Sequence, residues 1–176
     1  MFRLLQICHQ IFFQDVNNFG MIFAGAQKNI GPSGLCVAIV KKDLIGTASE
    51  STPIMLDYKT HSENGSMYNT PPTYGIYIAG LVFEWLLAQG GVEAIEKINI
   101  EKAALVYDFI DNSTFYSNTI PAEDRSLMNV VFKTPDADLD KKFAKDAAAK
   151  GLISLGGHRA VGGLRASIYN AMPIGG

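Results

Sequence analysis

A lysine among small residues is the first candidate for chemistry in the sequence. Lys28 lies in the segment 23–31, which reads FAGAQKNIG, directly after the apolar residues 21–23. A second apolar run follows over 35–40, so the pattern predicts a strand, a tight turn that carries Lys28, and a returning strand. An amine in a crowded, apolar place is costly to keep charged, and a neutral amine can condense with an aldehyde cofactor. A solvated lysine in a hairpin is the simpler alternative.

A second candidate site precedes a predicted helix. Asn69 and Thr70 stand before Pro71 and Pro72, and a proline disfavours the helical conformation of the residue before it. Thr73 is then expected to cap a helix that begins near Tyr74. An amide and a hydroxyl at a helix N-terminus suit a phosphate group. A capping turn without any ligand explains the same residues.

A third candidate site combines two arginines and a histidine within eight residues. His158, Arg159 and Arg165 lie in an otherwise small and apolar stretch, and the glycines at 162–163 allow a bend that brings them together. The forked guanidinium group matches carboxylate and phosphate oxygens in pairs, so the cluster favours a small molecule with two acidic groups. Pairing with local carboxylates is the alternative, but no Asp or Glu occurs over 151–176.

Two long helices are predicted between these sites. The first, 74–90, is apolar around most of its circumference, which predicts a buried helix with Trp85 in the core. The second, 92–112, has apolar residues at helical spacing. Its charged residues are expected on the solvated side; they are Glu93, Glu96, Lys97, Glu101 and Lys102.

The sequence pattern of the last third of the chain predicts a small lobe of helices and strands. Strands are expected over 115–117, 128–133, 152–155 and 164–169, and a helix over 139–150. The predicted domains are residues 1–91, which carry Lys28, and residues 92–176, which carry the arginines.

Composition excludes several classes of protein. The chain has 176 residues, a net charge of -2 and 18% charged residues, which argues against a nucleic-acid partner. No apolar run approaches the roughly 20 residues that a membrane helix requires. Cys8 and Cys36 have no metal-binding or redox spacing, so reduced thiols are expected, with one disulfide as the alternative. Residues 1–13 are weakly similar to a targeting segment but lack a clear cleavage site.

Three segments together resemble one enzyme family. Residues 19–31, 64–73 and 157–170 are similar, in order and spacing, to motifs of the phosphoserine aminotransferases, which are class-V, fold-type-I pyridoxal-phosphate enzymes. The resemblance covers about residues 15–173. It implies an α/β fold, namely the C-terminal part of such an enzyme, with an incomplete large-domain sheet and a small α+β lobe.

The resemblance also assigns roles to the candidate residues. Lys28 would hold pyridoxal 5'-phosphate covalently and move protons at the substrate's α-carbon. Gln27 would contact the cofactor phosphate in its own subunit, and Asn69 and Thr70 would contact it in the partner, which implies a homodimer with shared active sites. Arg165 would receive the α-carboxylate, and the pair His158 and Arg159 would recognise the phosphate or side-chain acid. The implied reaction transfers the amino group of glutamate to 3-phosphohydroxypyruvate, giving phosphoserine and 2-oxoglutarate.

Departures from the family pattern limit the expected activity. Leu4 falls where the family has an aspartate that pairs with the pyridine nitrogen, and the family's C-terminal helix is not matched. We therefore expect a chain truncated at both ends, with little transaminase activity by itself. Two alternatives remain open: a non-catalytic fragment that docks onto a full-length subunit, and a binding module for phosphorylated acids. A cytoplasmic location is expected, with a plastid not excluded.

Overall fold

The chain forms two compact units. The computed structural model describes residues 4–6 and 15–176; among these, the first unit comprises 4–6 and 15–89 and the second comprises 90–176. Cys8 and most of the segment 1–13 lie outside the described residues. The units divide between Gln89 and Gly90, and their assignment as a cofactor domain and a small domain stays a prediction.

A three-stranded sheet forms the centre of the first unit. Its strands are β1 (Leu4–Gln6), β2 (Met21–Gly25) and β3 (Cys36–Val40), in that order. β1 is parallel to β2, and β2 is antiparallel to β3, with Gly25 opposite Cys36. The predicted strand, turn and returning strand are therefore confirmed. Ile22 and Ala24 are buried, because alternate residues of β2 face the interior of the unit.

Two helices complete the first unit, and one differs from its prediction. α1 spans Tyr58–Glu63 and α2 spans Thr73–Ala88. α2 was expected to be buried, but only Gly75, Ala79 and Leu86 are buried, and Trp85, expected in the core, is 39% exposed. A helix that is apolar all round needs neighbours on every side, and the described part of the chain covers only one side of α2.

The second unit packs two helices with a two-stranded sheet. Its elements are α3 (Gly91–Asp111), β4 (Asn129–Phe132), α4 (Ala137–Ala149) and β5 (Leu164–Ser167). β4 and β5 are antiparallel, with Phe132 opposite Leu164. The core joins α3 to this sheet through Ala103, Tyr107, Ile110 and Val130.

The small α+β lobe is confirmed, but two of its predicted strands are not. Residues 115–117 make one isolated bridge, between Ser117 and Lys133, and residues 152–155 form no strand. Apolar alternation predicted both, but a strand also needs a neighbouring backbone to pair with. Leu152 and Ile153 are instead exposed.

The helices were compared with the length and apolar composition that a membrane span requires. Among the described residues, no single helix has both the length and the apolar composition to span a bilayer, and α2 and α3 meet that test only when counted together across their break.

Candidate active site

The lysine turn is closed by backbone hydrogen bonds between β2 and β3. The Ala26 amide donates to the Leu35 carbonyl at 2.9 Å, and the Gly31 amide donates to the Ala26 carbonyl at 2.7 Å. Ala26 is completely buried, whereas Gln27 and Lys28 are exposed. The small residues thus pack inward and the two candidate cofactor ligands point outward.

Lys28 is exposed, so the crowded, apolar surroundings predicted for it are not found among the described residues. The prediction failed because Ala24 and Ala26 pack their small side chains into the sheet instead of around the lysine. Any enclosure of the Lys28 amine must therefore come from a bound molecule or from another chain segment.

Small residues bring the lysine turn against α2. A Cβ added to Gly31 would lie 3.6 Å from the Ala79 backbone, and one added to Gly75 would lie 3.6 Å from the Leu35 Cβ. These are ordinary contact distances, so turn and helix are already in close approach. The turn that carries Lys28 consequently lies beside the N-terminal half of α2, the helix that Asn69 and Thr70 precede.

Asn69 and Thr70 are exposed just before α2, and the predicted cap at Thr73 is wrong. Pro72 holds the N-cap position without a side-chain hydrogen bond, and the Thr73 hydroxyl donates to the Pro71 carbonyl at 3.3 Å instead of accepting from the helix. Proline has no hydroxyl or carboxylate that can accept from the first amides of a helix. The start of α2 therefore keeps donors available for an anion, with an amide and a hydroxyl at hand.

Arg165 lies on the face of β5 that is opposite the core. Ala166 and Ile168 pack against the core cluster, and side chains alternate along a strand, so Arg165 and Ser167 share the other face. The Arg165 Nε is buried and has no hydrogen-bond partner within the described chain. A buried donor without an acceptor is costly, and a carboxylate oxygen would satisfy it.

A glycine-rich loop carries His158 and Arg159 back towards β5. The Gly157 amide donates to the Gly163 carbonyl at 2.9 Å, two residues before Arg165. Gly162 and Gly163 both have a φ of +73°, so the predicted bend is confirmed. His158 and Arg159 are exposed on this loop. The second unit thus brings the chain segments of all three predicted anion-binding residues to one region.

The orientation of the His158 ring is set within the same loop. The Ala160 amide donates to the His158 Nδ1 at 3.2 Å. A neutral imidazole that accepts at Nδ1 carries its proton on Nε2. The Nε2–H can then donate to an acidic ligand.

Lys102 was predicted on the solvated side of α3 and is buried instead. It is 4% exposed, and its ammonium donates to the carbonyls of Ile168, Tyr169 and Met172 at 3.3, 2.9 and 3.0 Å. Burial lowers the pKa of Lys102. The sequence holds a signal for this, because Ile95, Lys102, Val106 and Ile110 follow one another at helical spacing.

One ion pair of the second unit, between Asp111 and Arg125, is bidentate. Arg125 donates to both carboxylate oxygens of Asp111 at 2.6 and 2.9 Å, and its guanidinium carbon lies 4.7 Å from the centre of the Tyr107 ring. These hydrogen bonds hold the pKa of Asp111 below its usual value. Across residues 15–176, no cluster of His, Cys, Asp or Glu could hold a metal ion.

Comparison with known proteins shows the family to which the chain belongs. Residues 9–174 match the aminotransferase class-V family. The chain belongs to this family. A phosphoserine aminotransferase of Pseudomonas syringae pv. tomato is 61% identical over 160 residues, which are 91% of this chain and 44% of that class-V protein. The resemblance noted in the sequence is therefore confirmed.

Solved structures of class-V enzymes match the fold. The phosphoserine aminotransferase of Bacillus circulans subsp. alkalophilus is 43% identical, with a TM-score of 0.94 over 98% of this chain and 48% of that chain. A PLP-bound phosphoserine aminotransferase of Trichomonas vaginalis is 39% identical, with a TM-score of 0.91 over 98% of this chain and 50% of its own. The predicted α/β fold is confirmed, and the chain spans about half the length of these relatives.

Proposed function

We propose that this chain is part of a phosphoserine aminotransferase, which transfers the amino group of glutamate to 3-phosphohydroxypyruvate. The observation that carries the proposal is the buried, unsatisfied Nε of Arg165, an acceptor site for a carboxylate in a chain 61% identical to an enzyme of that name. Because the chain spans about half the length of its relatives, the activity is proposed for the complete enzyme. With Leu4 at the place of the expected aspartate, the chain alone should have little activity.

Lys28 fits the covalent attachment of pyridoxal 5'-phosphate. Its side chain is exposed on a tight turn whose inward residue, Ala26, is small and buried, so the amine faces outward, where an aldehyde can reach it. When bound, the cofactor supplies an electron sink for negative charge at the substrate's α-carbon. Lys28 would hold the cofactor at its aldehyde carbon, and once the substrate's amine takes that place, the freed Lys28 amine would move the proton at the substrate's α-carbon.

The phosphate of the cofactor fits the surroundings of the lysine turn and of α2. Gln27 is exposed next to Lys28 and would donate to the phosphate within its own subunit. Asn69 and Thr70 are exposed ahead of the helix and would donate to the phosphate of a second subunit. The uncapped start of α2 adds a favourable dipole for an anion.

A homodimer follows from this sharing of ligands. α2 also leaves apolar side chains uncovered, including Tyr74 and Tyr77, which is typical of an interface. We therefore propose that α2 lies at the contact between two subunits, beside the residues that serve the neighbouring site.

The second unit would bind the acidic groups of the substrates. Arg165 would hold the α-carboxylate through its fork, with Nε as one donor. His158 and Arg159, exposed on the neighbouring loop, would donate to the phosphate of phosphoserine or to the side-chain carboxylate of glutamate. Holding both ends of a small diacid fixes the orientation of its α-carbon.

The attachment role of Lys28 can be tested by borohydride trapping. The chain, alone and mixed with an intact homologous subunit, is incubated with pyridoxal 5'-phosphate, reduced and mapped by peptide mass spectrometry. We expect the label on Lys28, and its loss in Lys28→Ala. Lys42→Ala is the matched control, because Lys42 is also exposed in the first unit. An unlabelled Lys28 in the mixed sample, or labelling spread evenly over other lysines, would contradict the proposal.

A binding module for phosphorylated acids is a second candidate, favoured by the unsatisfied Arg165 Nε. It predicts that phosphoserine binds without the cofactor. Isothermal titration calorimetry with phosphoserine, with and without pyridoxal 5'-phosphate, separates the two candidates. In both, Arg165→Ala should weaken binding by about tenfold or more, as expected for a lost charge-assisted hydrogen bond. Unchanged binding in Arg165→Ala would exclude the anion-binding role.

A further inference from the structure

Lys102 is a buried charge whose contacts are unusual for a lysine. All three N–H donors of an ammonium group have backbone acceptors here, the carbonyls of Ile168, Tyr169 and Met172. No Asp or Glu lies within ion-pair distance of it in the part of the chain that the structure describes. Burying a charge against carbonyl groups alone is costly, so overall stability gives little reason to keep it.

The three carbonyls belong to the segment that directly follows β5. This segment, residues 168–172, turns back on itself, because the Met172 amide donates to the Tyr169 carbonyl at 2.9 Å. A second α3 residue contacts the same segment: the Asn99 side chain, completely buried, donates to the Asn170 Oδ1 at 2.9 Å. Two polar side chains of α3, about one helical turn apart, therefore bind the segment 168–172, which we call the exit of β5.

The strand itself is held from the other side by β4. Arg165 is opposite Val131, and the Ile168 amide donates to the Met128 carbonyl at 2.9 Å. β5 has four residues and pairs along its length with β4, while on its other edge the Arg165 amide donates to the Leu155 carbonyl at 2.7 Å. Beyond the strand, the Tyr169 hydroxyl lies 3.4 Å from the Asn129 Oδ1 on the β4 side, and α3 supplies the contacts of Asn99 and Lys102. The position of Arg165 then depends on anchors at both ends of a short strand.

We infer that Lys102 is a positioning residue, which fixes the exit of β5 through three carbonyls so that Arg165 presents its fork to an acidic ligand. This inference rests on the anion-binding role proposed for Arg165. Lys102 does not touch the ligand; it acts through the backbone of residues 168–172. A lysine suits this position because its flexible stem directs one compact charge at three carbonyls, which a planar or apolar group cannot do.

Hydrogen exchange tests the anchoring step without any ligand. Lys102→Met removes the ammonium and keeps an apolar stem, and we expect the amides of Ile168 and Met172 to exchange about tenfold faster. Lys97→Met is the matched control, since Lys97 lies on the exposed side of the same helix, and it should leave these rates unchanged. If Lys102→Met does not fold, Lys102→Gln replaces it in the comparison. Because the glutamine side chain keeps two N–H donors, we expect a smaller increase in the same exchange rates.

Calorimetry with phosphoserine tests the positioning step, at a temperature well below the Tm of every variant. We expect about tenfold weaker binding in Lys102→Met and no change in Lys97→Met, together with an altered NMR signal of the Arg165 Nε–H group. A purely structural role would lower the Tm and leave affinity and signal intact. If Lys102→Met binds like the wild type while Arg165→Ala does not, the inference is overturned and the proposed function stands. If Arg165→Ala also binds normally, both fall.

Discussion

At Gly157 the loop that carries His158 and Arg159 leaves no room for a side chain. A Cβ added there would lie 2.1 Å from the Gly162 carbonyl oxygen and 2.8 Å from that of Gly163. Both are backbone atoms, which cannot rotate away as the end of a long side chain can. The loop can close only because Gly157 has no Cβ. This closure brings His158 and Arg159 back towards Arg165.

Gly157→Ala should therefore open the loop. We expect a loss of about 1–3 kcal/mol in the free energy of unfolding, the range for overpacking, and weaker binding of phosphoserine because His158 and Arg159 are displaced. Gly156→Ala is the matched control, since a Cβ there meets nothing within 4 Å. Urea unfolding and calorimetry on both variants make the comparison, and equal effects at the two positions would refute the steric argument.

At the scale of elements, the end of α3 is tied to the following loop by the Asp111–Arg125 pair. Both carboxylate oxygens of Asp111 accept from the guanidinium group, which also lies against the Tyr107 ring. The bidentate geometry makes this pair stronger than the single-contact ion pairs on α4. It fixes the loop that enters β4, the strand that pairs with β5.

The free energy of unfolding at acidic pH should depend on the Asp111–Arg125 ion pair. Hydrogen bonds from Arg125 hold the folded-state pKa of Asp111 below its ordinary value of 3.8. The contribution is therefore fully present above that pH and is lost as the pH falls through the folded-state pKa. Urea unfolding at pH 6 and below pH 3.5 should show Asp111→Asn less stable at pH 6, with the difference shrinking on acidification. Asp108→Asn, on the same helix and in no ion pair of the described chain, is the matched control, and an equal convergence there would refute the role assigned to the Asp111–Arg125 pair.

Elements with local signals were predictable from the sequence, and elements that depend on partners were not. The turn at Lys28 and the bend at Gly162–Gly163 are encoded by their own residues. The strand expected at 152–155 failed because pairing requires a second backbone, which the local pattern cannot report. The prediction that Lys102 lies on the solvated side of α3 was wrong, because its position in the apolar stripe of the helix, and not its charge, decides its burial.

The candidate site was predictable to the same extent. The residue types of the three segments predicted an amine, a phosphate contact and a fork for acids. The structure places the first segment at a turn, the second just ahead of α2 and the third on a loop and on β5. The exposure of Lys28 was not predictable, because its enclosure depends on atoms other than its sequence neighbours. Whether these residues act as proposed stays a prediction until the trapping and binding experiments are done.

At the scale of the whole molecule, the exposed side of α2 is the feature least suited to an isolated chain. Tyr74, Tyr77, Leu81 and Trp85 follow one another at helical spacing, and Tyr77 is 63% exposed. A second copy of this helix would cover such a stripe and would place Asn69 and Thr70 next to the neighbouring subunit. In the proposed dimer, the same contact would bury apolar surface and supply ligands for a shared site.

Tyr77→Glu should therefore weaken self-association without unfolding the chain. Loss of a buried tyrosine ring and introduction of a charge at the contact should raise the dimer Kd by about 10- to 100-fold, measured by sedimentation equilibrium over a range of concentrations. Leu105→Glu is the matched control, because Leu105 is a similarly exposed apolar residue, on α3. Since both changes add the same charge to an exposed helical position, a selective effect of Tyr77→Glu would assign the contact to α2. Equal weakening by both variants, or a wild-type chain that stays monomeric at high concentration, would show that α2 is covered by something other than its own copy.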